Sequence, residues 1–281
     1  MDTCTHDPTL TPSRYVDQQT ALSYGLINSS ASAPTYIGVD YVNQMIPGSN
    51  GAGRPSVRIS TTKVWTHGLF IGDFAHAPGG ICGTWPAWWT LGPNWPYTGE
   101  IDILEGVNLL TTNVMSLHTS PNYTIAGDPD TETGILEAEN CAYYEGGGNG
   151  VGCGVADTRN TSYGAGFNAI GGGVYAMQWT SDFIKVWFFP RLEIPADIIN
   201  KVPDPSGWGL PVADLIGTGD NIDAHFVDHA IVFDNTFCGD YAGAPGVWDN
   251  TGDPSISCAA ITGYSTCSKF VGAVPGAFKD R

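Results

Sequence analysis

The sequence predicts an all-β chain, an antiparallel β-sandwich built as one domain, on three observations. Its 281 residues include 37 glycines and 19 prolines, which suits many short strands joined by turns and disfavours long helices. Hydrophobic residues make up 42% and charged residues only 14%, enough apolar side chain to bury a large core. Period-two alternation recurs along the chain, while helical periodicity is weak throughout.

Strand-like alternation first covers residues 56–60 ("SVRIS") and 68–74 ("GLFIGDF"). It returns at 113–119 ("NVMSLHT") and at 229–237 ("HAIVFDNTF"). The clearest hairpin is "VYAMQWTSDFIKVWFFP", two β-rich runs about a polar turn of Thr180, Ser181 and Asp182. "EIPADIINKVPDPSG" supports at most a short helical turn before its prolines stop it. No repeat, charge block or linker divides the chain, so residues 1–281 read as a single domain.

A net charge of −17 argues against nucleic acid and anionic membrane as partners, since both are polyanions. It suits a protein acting on a neutral or cationic substrate, and a monomer is expected. The seven cysteines, at 4, 82, 141, 153, 238, 258 and 267, form no CxxC pair, and no metal or cofactor is expected. Cys141 and Cys153 bracket "CAYYEGGGNGVGC", a glycine-rich loop that a disulfide would close. Cys258 and Cys267 lie in a similarly turn-rich tail, and an odd total leaves at least one thiol over. Sequons at Asn28, Asn122 and Asn160 add to the case for a secreted, extracellular protein. Neither a signal peptide nor a transmembrane segment is visible.

The stretch "TGEIDILEGV" (98–107) carries the chemistry. On a regular strand Glu100 and Asp102 share a face, whereas Glu105 would point into the core. A β-bulge near Ile103 and Leu104 resets the alternation, returning Glu105 to the face of the other two acids. An amphipathic helix is the competing structure, but "GPNWPYTG" before and "GVN" after cannot support one of useful length. Three carboxylates on one short strand repel one another without structural benefit unless a proton, a cation or a reaction uses them. A retaining glycosidase needs two such acids with pKa values pushed apart, one ionised to attack the anomeric carbon and one protonated to serve the leaving oxygen. Upstream, "GTWPAWWTLGPNW" places Trp85, Trp88, Trp89 and Trp95 in eleven residues. Trp85 and Trp88 read as core; Trp95, in a turn five residues before Glu100, reads as a platform for the C–H face of a sugar.

The segment "ICGTWPAWWTLGPNWPYTGEIDILEGVN" resembles the signature of glycoside hydrolase family 16, in particular the fungal laminarinase-like endo-1,3(4)-β-glucanases. "RPSVRI", "GLFIGDFAHAPGG", "MSLHTS", "SYGAGFNAIGGGVYAMQW", "FIKVWFFPR" and "FCGDYAG" resemble the family in the same order, over roughly residues 7–275. The resemblance implies an antiparallel jelly-roll β-sandwich with a concave substrate cleft, and a double displacement that retains anomeric configuration. It assigns Glu100 as nucleophile and Glu105 as general acid/base, with Asp102 hydrogen-bonded to the nucleophile. His118 falls beside the acid/base residue, Trp89 and Trp95 line sugar subsites, and Arg58 matches a cleft arginine. His225 and His229 suggest a metal only if presented on a helix, and their segment reads as a loop entering a strand.

The sequence also departs from the family pattern. Tyr241 follows "FCGD" where relatives often carry tryptophan, which implies weaker sugar binding at a distal subsite. Arg14 precedes "YVDQ" where a small polar residue is usual. Both ends look short, implying a domain truncated by a strand at each end. The expected function is hydrolysis of internal bonds in 1,3- or mixed 1,3/1,4-β-glucans, the polysaccharide being the partner. Transglycosylation and a non-catalytic carbohydrate-binding sandwich are the alternatives.

Overall fold

The computed structural model describes residues 13–30, 32–46, 53–143, 152–217, 222–250 and 252–279. Its main body is two facing antiparallel sheets. Their strands, in chain order, are β1 (Arg58–Ser60), β2 (Gly68–Phe74), β3 (Thr84–Leu91), β4 (Glu100–Glu105), β5 (Val114–His118) and β6 (Ile135–Ala138). They continue as β7 (Cys153–Ala156), β8 (Gly173–Trp179), β9 (Ile184–Pro190), β10 (Ala213–Asp214) and β11 (Ala230–Phe237). The larger sheet runs β6-β7-β5-β4-β3-β11-β1 and the smaller β10-β9-β8-β2. Two shorter pairings flank them: Ser13–Tyr15 lies parallel to Arg54–Ser56, and Ile27–Ser30 antiparallel to Ala33–Ile37.

The alternation read from the sequence becomes the core. Tyr175, Met177 and Trp179 of β8 and Ile184, Val186 and Phe188 of β9 face inward, meeting Trp88, Ile101, Met115 and Leu117 of the larger sheet. Most of the residues alternating with them are apolar as well, Gln178 and Lys185 excepted, because much of the outer face of the smaller sheet is also covered. Val174, Ala176, Trp187 and Phe189 pack outward under Ile194, Ile198 and Trp208. Trp179 pairs with Ile184, and Thr180 N–H bonds to Phe183 O, so the turn falls where the polar residues stand.

The tail differs from its sequence reading. Cys258–Thr262 and Cys267–Ala273 are α-helices, each N-capped by a hydroxyl from Ser257 and Thr266 respectively. Helices of five and seven residues are too short to show a period, which is why periodicity misses them. Nor does the tail close on itself: Cys258 bonds to Cys82 and Cys267 to Cys238, tying both helices to the sandwich. Phe278, near the end of the described residues, is buried against Phe237 and Phe270. Cys141 and Cys153 are joined, as their loop suggested; residues 144–151 within it, and Cys4, lie outside the described residues. Among the described residues no helix is long and apolar enough to cross a membrane.

Candidate active site

The phase problem of "EIDILE" is solved at Ile103. On β3, Trp89 pairs with Asp102 and Trp88 with Leu104, so Ile103 is the extra residue of a β-bulge. Ile101, Ile103 and Leu104 are all buried in the core between the sheets. Glu100, Asp102 and Glu105 stand opposite Leu91, Trp89 and Ala87, which share one face of β3. A bulge leaves backbone groups without ladder partners, and here Asn113 supplies them. Its side chain donates to Ile103 O at 2.8 Å and accepts from Glu105 N–H at 2.8 Å, and Asn113 is wholly buried. The sequence reading placed Asn113 in a strand and gave it no part in the site. An amide is one of the few side chains that can donate and accept at once, which is the only signal it offered.

Around the acids the same face of the sheet is aromatic and polar. Trp85 Nε1 donates to Glu105 Oε1 at 2.6 Å, and Trp89 Nε1 to Asp234 Oδ2 at 3.2 Å. Arg58 lies over the Trp89 ring, 4.7 Å from its centroid, with Nε 4.0 Å from Asp234 Oδ2. His118 pairs with Glu100 across β4 and β5. Its Nε2 is 3.9 Å from Glu100 Oε1 and 3.6 Å from Asp102 Oδ2. Gly152, with φ +70°, lets the chain pass behind that ring: a Cβ there would stand 2.7 Å from His118 Nδ1. Trp95 meets Tyr143 edge-on at 4.5 Å. Its Nε1 makes no hydrogen bond of good geometry, yet lies near enough to Glu100 to favour the carboxylate.

Burial dominates the electrostatics. It pushes Glu100 up to about 8, reinforced by the charge of Glu105 and opposed by Trp95 and Arg58. Glu105 is pushed to about 7 by burial against the bond from Trp85. Burial and the Glu100 charge raise Asp102 as well, and burial takes Asp234 to about 6. His118 is driven down to about 4, again by burial, so its ring is neutral at pH 7. The two glutamates therefore hold about one proton between them near neutrality, a property of the pair.

Several sequence expectations change on this framework. Trp85 is not a core residue: it is half-buried on the face of the acids, bonded to Glu105, because odd positions of β3 face away from the core. Trp88 is core. Tyr241 is not distal to the acids. It lies edge-on to Trp85 at 5.7 Å, and burial, reinforced by the charge of Glu105, raises its hydroxyl pKa. The hydrogen bond expected between Asp102 and Glu100 is not formed: Asp102 Oδ2 has no hydrogen-bond partner, and the Glu100 charge acts on Asp102 by repulsion. Asp234 was missed, since nothing in "HAIVFDNTF" sets its acid apart from a wet strand position. His229 is spent on Thr90 Oγ1 and Thr98 O, and His225 Nδ1 is 3.0 Å from Ser120 Oγ.

The model of the XgeA-like catalytic GH16 domain matches residues 3–281. The chain belongs to glycoside hydrolase family 16. It is 45% identical over 98% of its length to a "Probable endo-1,3(4)-beta-glucanase" of Aspergillus clavatus, covering 41% of that protein. It is 42% identical over 90% of its length to the endo-1,3(4)-β-glucanase xgeA of Emericella nidulans, covering 40% of it. The chain thus spans about two-fifths of these curated relatives. Among solved structures, an elongating family 16 β-1,3-glucosyltransferase matches with TM-score 0.85 at 43% identity, over 98% of this chain and 89% of that one. Laminarinase 16A from Phanerochaete chrysosporium, holding two β-glucans in its donor and acceptor sites, matches with TM-score 0.87 at 38% identity, over 98% and 88%. Both the family and the jelly-roll expected of it are therefore established.

Proposed function

We propose that the chain is a secreted, monomeric, retaining endo-glycosidase hydrolysing internal bonds of 1,3- or mixed 1,3/1,4-β-glucans. The observation that carries this reading is the Ile103 bulge, which brings Glu105 onto the face of Glu100 beside a row of tryptophans. The glucanase names of relatives at 42–45% identity support the substrate class, and three disulfides and the absence of a membrane-spanning helix among the described residues suit secretion.

In the proposed reaction a Glu100 oxygen attacks the anomeric carbon as the glycosidic C–O bond breaks, and Glu105 gives its proton to the departing oxygen. The glycosyl ester on Glu100 is then cleaved by water, whose proton returns to Glu105. Trp85 holds Glu105 Oε1, leaving the other oxygen to carry the proton. Burial raises both carboxyls of the free pair, and the first step needs the proton they share to sit on Glu105. Trp95 and Arg58 favour the Glu100 carboxylate. Trp89, Trp95, Arg58 and Tyr241 are the proposed sugar contacts, with His118 beside the acids.

The test incubates purified protein with laminarin, lichenan and chitin separately, sizes the products over time and identifies the first-formed anomer. Mid-length oligomers in the β configuration are expected from laminarin or lichenan; α products or no release from either would sink the reading. Transfer is the second reading, favoured by the 43% identity to the elongating glucosyltransferase, and products longer than the substrate would show it.

A further inference from the structure

Glu100, Asp102 and His118 form the one group of three potential ligands found among the described residues, each offering an atom within 4.8 Å of the other two. Asp102 is 1% exposed, and its Oδ2 has no hydrogen-bond partner while facing His118 Nε2 at 3.6 Å. Leaving a buried carboxylate oxygen unpaired is costly, so a cation has something to gain there. Glu100 Oε1 and His118 Nε2, 3.9 Å apart, complete the triangle and keep 17% and 14% side-chain exposure toward the solvent side. With ligand bonds of about 2.1 Å, a tetrahedral ion wants ligand atoms roughly 3.4 Å from one another, so the two sides at His118 need only small adjustments, while the side between the carboxylates, within 4.8 Å, closes by side-chain rotation. The far side of the imidazole is backed by Gly152, which leaves Nε2 as the nitrogen presented to the acids.

We propose that this trio is an inhibitory binding site for a borderline divalent transition ion, of which zinc is the probe. The two carboxyls release to solvent any proton they hold as the ion binds and then cancel its charge, and one imidazole selects it over calcium and magnesium, which prefer all-oxygen shells. Bound there, the ion occupies the oxygen with which Glu100 would attack and stands where the sugar ring must lie. The site rests on the placement of these side chains and needs no turnover.

Calorimetric titration of the chelator-treated full chain tests it, with zinc and calcium in parallel. One zinc per chain is expected, bound at least about tenfold more tightly than calcium. His118→Gln and Glu100→Gln should each weaken zinc at least about tenfold, and the surface change Asp130→Asn should not. If one of the first two variants fails to fold, shown by loss of its melting transition, the other gives the same reading. Anomalous scattering at the zinc edge should place the ion between Glu100, Asp102 and His118. Wild-type affinity in a folded variant, equal calcium binding, no saturable zinc, or an ion elsewhere would each overturn the proposal. Because binding is read without glucan, loss of the hydrolase reading and loss of this one are separate outcomes.

Discussion

At the scale of the residue, the acid pair is governed by what burial and neighbouring donors do to a carboxyl. Trp85 donates to Glu105 Oε1 at 2.6 Å and so favours its charged form. Trp85→Phe removes that donor, and Glu105 should keep its proton to higher pH. The alkaline limb of the kcat/KM profile should then move up by roughly one to two units, given a net 1.5–3 kcal/mol for a charged hydrogen bond. An unmoved limb would argue that Glu105 is not the proton donor. Glu105→Gln should cost about 10²–10⁴-fold in hydrolysis of glucan but far less for an aryl glycoside whose leaving group needs no proton. Glu100→Ala should stop turnover on both while sparing sugar binding; unchanged release of reducing sugar would refute its role. Trp95→Ala should raise KM for oligosaccharides if the ring is a platform, and a loss seen only in melting temperature would return it to the core.

At the scale of the element, the bulged strand β4 depends on Asn113. Asn113→Leu keeps the approximate volume but strands Ile103 O and Glu105 N–H, at about 1–3 kcal/mol for each buried group left unpaired. Activity on glucan should fall further than the melting temperature suggests, since the bulge sets the aim of Glu105. Equal losses of both would mean that the amide is merely structural. The bulge itself was legible in the sequence, because Glu105 out of phase has no other comfortable place. Its clamp was not, because residues 103 and 113 meet only when β4 and β5 lie side by side. The same limit hid Asp234, which joins the cleft because β11 happens to be the neighbour of β3.

At the scale of the whole molecule, stability should carry the imprint of the buried acids. Glu100, Glu105, Asp102 and Asp234 all have folded-state pKa values raised by burial, so the folded chain holds protons that the unfolded chain would release. Their contribution is fully present below the unfolded carboxylate values near 4.5 and is lost as pH rises toward about 8. His118 and His229, both lowered to about 4, act in the other direction, their contribution being lost as pH falls from 6.5 toward 4. Glu100→Gln should therefore melt close to wild type at pH 4.5 and progressively above it toward pH 8, by about 2–4 °C for each kcal/mol relieved. A constant difference across that range would mean that Glu100 is not buried as a charge. Breaking Cys82–Cys258, which closes 176 residues, should cost about 2–5 kcal/mol and free the helical tail.

The sequence by itself determined the β-sandwich, the family, the bulge and the acids that ride on it, since these are written in local alternation and contiguous motifs. Only the tertiary structure decided that Trp85 leaves the core for Glu105, that Asn113 and Asp234 join the site, and that the tail cysteines bind the sandwich instead of each other. The physical reason is the same in each case. Which face of a strand is wet, and which strand lies next to it, is set by sheet order, and sheet order is a property of the whole chain.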